Sequence, residues 1–273
     1  MRKFTSIQFL GLCLVSIISF SSCDKQTIEP IINPVVIEQN FTIKFTTVNS
    51  SSNTLALGQQ TALGAFDLDF NFNTLSFYLN NIKAVKDDGT EVMVKDLILV
   101  NVNPKSWMNT DSTAVNSSFT FSLPSGNYTG LKMVLGVPAE LDGDNAPLAT
   151  SYPDNNPLSD KRGTWWSWDN TFRHLTVMGN AYKVGNSTPY PYSYHLRTDV
   201  VTQSFSLNKN FTLTNIAATT LTAEVNMNNV FTQPGNQLDI YKDNISDSKS
   251  DDQNQVRIVK LVADNFTKSI TLK

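Results

Sequence analysis

The sequence predicts an all-β protein, a single β-sandwich-like domain with long loops, and three observations carry that prediction. Apolar and polar residues alternate over many short segments, as Phe41, Ile43 and Phe45 do around Thr42, Lys44 and Thr46, which is the pattern of a half-buried strand. Turn-forming clusters such as Asp87-Asp88-Gly89 and Pro124-Ser125-Gly126-Asn127 punctuate these segments. Apolar residues at spacings of three and four are sparse, so few windows read as helix.

The elements follow in order. After residues 41–46, Phe66, Leu68, Phe70 and Phe72 alternate with Asp67, Asp69, Asn71 and Asn73. Residues 77–85 form the next strand, Asp88-Gly89 supplies the positive φ of a hairpin turn, and residues 91–94 return. Residues 97–102, 119–123 and 128–137 continue the pattern, and later strands are expected at 175–177, 192–196, 205–207, 221–227 and 256–262. No internal repeat is visible. Residues 138–163 and 233–254 are irregular and longer than ordinary connections, which marks them as candidate functional loops.

The N-terminus reads as an address. Arg2 and Lys3 precede an apolar run from Phe4 to Phe20 that is short for a membrane span, and Phe20-Ser21-Ser22-Cys23 resembles a bacterial lipobox. The expected organisation is therefore a lipoprotein signal peptide over residues 1–22, a lipidated Cys23 with a Pro-containing tether over residues 23–40, and one β domain over residues 41–273. An ordinary secretory peptide that contains a cysteine is the alternative. Acyl chains on Cys23 would hold the protein on a membrane, because each buried methylene contributes about 0.8 kcal/mol. The expected location is the bacterial cell envelope, anchored to the outer membrane. Cleavage leaves 251 residues (273 less the first 22), enough for a sizeable core. It also removes Cys13 and commits Cys23, so no thiol remains for a disulfide or a thiolate metal site. Then 19 basic residues face 24 acidic ones, with no Lys/Arg cluster, which disfavours nucleic-acid binding.

Chemistry concentrates in residues 163–179, GTWWSWDNTFRHLTVMG, which hold Trp165, Trp166 and Trp168. In an extended segment Trp166 and Trp168 share a face and Trp165 takes the other. Arg173 either stacks on an indole or stays in solvent. His174 and His195 are the only imidazoles in the chain, and across neighbouring strands two imidazoles can hold copper or zinc. Lone histidines also serve as core or surface residues. Residues 141–145, LDGDN, resemble the start of a calcium loop, but no bidentate Glu follows, so a solvated turn is the better reading. No Ser-His-Asp order, phosphate loop or HExxH is present, and the reading is a binding protein rather than an enzyme.

The chain resembles the MbnP-like family, proteins of the periplasm or cell surface named for the partner encoded in methanobactin (copper-chelator) gene cassettes. The likeness lies in AFDLDFNFNTLSFYLNNIKAVKDDGTEV with its Phe77-Tyr78 and Asn81-Ile82, in LGVP at residues 135–138, in Gly163-Thr164-Trp165-Trp166-Ser167-Trp168, and in Tyr194-His195-Leu196-Arg197. The resemblance implies copper, with His195 as an imidazole ligand; His174 replaces what is usually an aromatic in the family, and either stands in for a further ligand or fills core. It also implies Trp166 or Trp168 as a residue oxidised to kynurenine or as an aromatic wall, and a di-haem peroxidase-like partner for that oxidation. The chain departs from the family pattern at Thr164, Thr171, Met178 and Arg197, where the family has Met, Gly, Glu and Gly. The competing reading is a glycan- or ligand-binding surface lipoprotein whose platform is Trp165, Trp166 and Trp168 with Tyr190 or Tyr192. A third is a structural lipoprotein whose tryptophans are core.

Overall fold

The computed structural model describes residues 37–102, 117–168, 170–197, 201–215, 218–247 and 253–273. The expected signal peptide, Cys23 and the tether up to residue 36 lie outside the described residues. In chain order the strands are β1 (Glu38–Val48), β2 (Thr61–Ala62), β3 (Leu68–Lys86), β4 (Glu91–Asn101), β5 (Ser118–Pro124), β6 (Gly126–Leu135), β7 (Trp165–Trp166), β8 (Thr171–Phe172), β9 (Leu175–Lys183), β10 (Tyr190–Leu196), β11 (Gln203–Leu213), β12 (Thr219–Asn226), β13 (Asn236–Gln237), β14 (Ile245–Asp247) and β15 (Ile270–Leu272). Helix α1 (Met227–Thr232) follows β12, and helix α2 (Gln253–Ser269) precedes β15.

Two sheets make a sandwich. The smaller runs β15-β12-β1-β5, and the larger runs β11-β6-β3-β9-β10-β14 with β2 and β4 also paired to β3. The alternation of β1 does what its pattern requires: Phe41, Ile43 and Phe45 enter the core while Lys44 is exposed. Aromatic edges knit the layers together. Phe45 meets Phe77 at 5.6 Å between ring centroids, and Phe77 meets Phe266 of α2 at 4.8 Å. Burying each such ring contributes roughly 1.5–3 kcal/mol.

β3 is one 19-residue strand where the sequence suggests two, with register shifts at Phe72/Thr74 and Ile82/Lys83 that let it bend without breaking. Phe66 does not share the face of Leu68; it precedes the strand at φ 59° and is exposed. β1 begins at Glu38 and so takes in the last three residues of the expected tether. The strand expected at 256–262 is instead part of α2. Its buried residues Ile258, Val259, Val262, Ala263 and Phe266 recur at helical spacing, a signal masked by the β-branched residues among them. Asn226 caps α1, its side chain accepting from the N–H groups of Asn228 and Asn229.

The long 138–163 loop is built rather than loose. Its three 3₁₀ turns, Ala139–Leu141, Ala149–Ser151 and Asp160–Arg162, accompany a second apolar cluster of Tyr78, Leu97, Leu99, Val137, Ala149, Leu158 and Phe172, packed by Leu141, Tyr152 and Trp165. Tyr78 follows Phe77 on β3 and so points to the opposite face of the sheet, where this cluster lies.

Candidate functional site

The tryptophan motif enters this layer as a hairpin. β7 pairs β8 with Trp165 opposite Phe172 and Trp166 opposite Thr171. Just before it, Gly163 closes the last 3₁₀ turn in the left-handed region at φ 68°, a conformation that suits glycine. Thr164 is fixed from below by the buried Tyr78 phenol, which donates to the Pro157 carbonyl at 2.8 Å and therefore accepts from the Thr164 hydroxyl at 2.7 Å. Burial pushes the Tyr78 phenol well above its ordinary value. The Arg173 N–H donates to the Thr164 carbonyl, and its guanidinium donates to the carbonyl of Gly163. Burial brings the Arg173 guanidinium down to about 10.

The three tryptophans part company at the hairpin. Trp165 joins the second apolar cluster, its Nε1 donating to Asn170 Oδ1 at 3.1 Å. Trp166 is buried and stacks on Trp168 at 5.2 Å with 25° between the rings, while Trp168 itself is 73% exposed. Two guanidinium groups lie over Trp166, Arg197 at 4.2 Å and Arg173 at 5.6 Å from its centroid, so Arg173 takes the stacking role rather than the solvent one. The His195 ring meets Trp166 edge-on at 5.1 Å.

The two histidines have different neighbours. His174 is fully buried, and its Nε2 lies 2.8 Å from Asp142 Oδ2. Its Nδ1 has no hydrogen-bond partner among the described residues and faces Gly136, where an added Cβ would come within 2.9 Å of it. Asp142 Oδ1 also accepts from the Phe172 N–H at 2.7 Å, so this aspartate of the LDGDN segment clamps the loop to the hairpin and is no solvated turn residue. His195 projects from β10 opposite Thr176 of β9, and its Nε2 lies 3.4 Å from both Met178 Sδ and Ser193 Oγ. Among the described residues no group of three or more His, Cys, Asp or Glu side chains is placed to hold a metal ion. An imidazole nitrogen and a thioether sulfur, those of His195 and Met178, do converge.

The departures from the family pattern gather here. Thr164 bonds Tyr78, Arg197 Nη1 donates to Thr171 Oγ1 at 3.4 Å while covering Trp166, and Met178 touches His195. Sequence reasoning named Met178 and Arg197 as departures without giving them a place in the site, and it gave Asp142 none. Each makes its contact across strands or loops, which spacing does not reveal. The aromatics do not make one exposed platform: Tyr192 is 1% exposed and faces the core, and of the expected set only Trp168 and Tyr190 stand in solvent.

Comparison with known proteins finds one family model and a similar solved structure. The family model described as MbnP matches residues 38–255. A solved structure, MbnP from Methylosinus trichosporium, is similar at 15% identity with a TM-score of 0.48, over 71% of this chain and 78% of that one. No curated protein matches.

Proposed function

This chain belongs to the MbnP family, and on that premise we propose that it is a lipid-anchored protein of the bacterial cell envelope that binds copper at His195 beside Trp166. The observation that carries the reading is the approach of His195 Nε2 to Met178 Sδ at 3.4 Å, against the edge-on contact with Trp166. Imidazole and thioether are both copper donors. His174 serves the site by holding the loop through Asp142, because the nitrogen turned to the carboxylate is engaged and the other is packed against Gly136. Cys23 carries the lipid and attaches the domain to its membrane.

An oxidisable tryptophan belongs to the same reading. Trp168 is the indole open to a protein partner, and Trp166 stacks directly on it. A di-haem peroxidase-like enzyme is the partner class, acting at Trp168 or through it at Trp166. The role is binding rather than catalysis.

Titration of the purified protein with Cu(I) and Cu(II) tests the reading. Sub-micromolar binding is expected, weakened at least tenfold by His195→Ala. Binding no better than micromolar in both oxidation states refutes it. Intact mass reports any oxygen gained by tryptophan, and acyl labelling lost in Cys23→Ala reports the anchor.

A further inference from the structure

On one side of the sandwich an edge of each sheet is unpaired. Among the described residues β4 pairs with β3 alone and β5 with β1 alone, and a cavity of about 430 Å³ lined by both strands lies between them. Register shows which backbone groups face it. The Val102 N–H donates to the Leu75 carbonyl, one step beyond the Ser76–Asn101 pair. Bonded and non-bonded pairs alternate in an antiparallel ladder, so Ile98 and Val100 bond β3 while Leu97 and Leu99 turn their N–H and C=O groups away from it. Tyr78, opposite Leu99, agrees: its own N–H donates to the His174 carbonyl and its carbonyl accepts from Gly136. In the same way the bond from the Phe45 N–H to the Ser117 carbonyl turns the backbone groups of Ser118 and Thr120 away from β1. Leu97, Leu99, Ser118 and Thr120 all line the cavity. Its charge is one-sided. Lys95 and Arg162 line it and no Asp or Glu does among the described residues, although the chain carries a net charge of −3. Arg162 Nε donates to the Asn156 carbonyl at 3.2 Å, and neither cation forms an ion pair among the described residues.

We propose that this cleft binds an extended acidic peptide, which adds as a strand between β4 and β5 and places its carboxylates on Lys95 and Arg162. The proposal is independent of the copper reading. Unpaired strand edges are templates for a further strand, and main-chain hydrogen bonds supply the affinity in such complexes. Side-chain alternation supplies the selectivity. On β4, Lys95 shares a face with Leu97 and Leu99 of the second apolar cluster, whereas Ile98 faces the main core. Phe119 and Phe121 of β5 are half-buried and pack on that same core. An inserted strand therefore turns one set of alternate side chains to Ile98, Phe119 and Phe121, and the other set to Lys95 and Arg162. The sequence it fits alternates apolar and acidic residues.

The test titrates the full chain, purified in detergent, into a fluorescein-labelled peptide of about six residues that alternates valine and glutamate, and reads fluorescence anisotropy. Binding with a Kd of about 100 μM or tighter is expected. The same peptide with lysine in place of glutamate should bind at least tenfold more weakly. So should a glutamate peptide N-methylated at alternate residues, which keeps the charge and loses main-chain donors. Lys95 is exposed, so Lys95→Glu leaves the fold intact; it should weaken the glutamate peptide at least threefold and strengthen the lysine peptide. Equal binding of the N-methylated and unmodified peptides overturns strand addition, and it does so without any variant of the protein. Equal binding of the glutamate peptide by the parent and Lys95→Glu overturns the site. No binding at about 1 mM peptide overturns the proposal outright. Self-association of the chain that Lys95→Glu abolishes, with no peptide bound, also overturns it and makes a second copy the occupant.

Discussion

Asp142→Ala removes a buried side chain that ties the long loop to the tryptophan hairpin. In the folded protein Asp142 Oδ1 accepts from the Phe172 N–H at 2.7 Å and Oδ2 meets His174 Nε2 at 2.8 Å, with the carboxylate side chain only 8% exposed. Alanine leaves a buried backbone donor and a buried imidazole nitrogen without that acceptor, while His174 Nδ1 already has no hydrogen-bond partner among the described residues. Each orphaned group costs roughly 1–3 kcal/mol, so the pair costs roughly 2–6 kcal/mol. For a domain of this size, each kcal/mol lowers the melting midpoint by roughly 2–4 °C, which places the expected drop at roughly 5–20 °C. Thermal unfolding followed by circular dichroism reads it directly. Asp144→Ala is the control, since Asp144 lies in the same loop and is exposed, and it should stay within about 0.5 kcal/mol of the parent. A midpoint for Asp142→Ala within about 2 °C of the parent refutes the clamp.

Gly179→Ala should abolish folding or lower the yield of soluble protein sharply, because an added Cβ would fall 2.0 Å from the Asn71 carbonyl oxygen and 2.8 Å from Phe72 Cα, backbone atoms that have nowhere to move. Asn226→Ala should cost about 0.5–2 kcal/mol in chemical denaturation by uncapping α1. Stability should fall above pH 10. Burial raises the phenols of Tyr78, Tyr192 and Tyr194 above their ordinary value of 10.0, so their contribution is complete below that pH and is lost as pH rises toward the folded values. Arg173, lowered to about 10, acts in the opposite sense, but the phenols outnumber it. Phenolate absorbance should show these tyrosines ionising only as the chain unfolds. Three phenols titrating normally in a folded protein would refute this.

Much of the fold was legible locally. The Phe41–Ile43–Phe45 alternation and the Gly89 turn, at φ 85°, appear where their patterns place them. The all-β sandwich follows from such segments, because strand periodicity is a property of a few adjacent residues. α2 is not legible locally because Val256, Ile258, Val259 and Val262 favour strands intrinsically, and only packing against α1 and strands of both sheets selects the helix. The separate faces of Trp165 and Trp166 follow from alternation within β7, whereas Trp168 stands in the turn beyond it and its stacking on Trp166 is set by the hairpin.

The sequence by itself therefore determined the strand-rich class, the two-faced tryptophan motif that carries the family likeness, and which imidazoles exist to be used. Tertiary structure decided their neighbours. Met178 and His195 meet across 17 residues, Asp142 and His174 across 32, and Tyr78 and Thr164 across 86. Those distances along the chain are closed by sheet register and by a loop folding back over the large sheet, and no local pattern encodes either. Register is set cooperatively by the buried face of every strand at once, so the side chains it brings together on the opposite face become visible only when the whole sheet is in place.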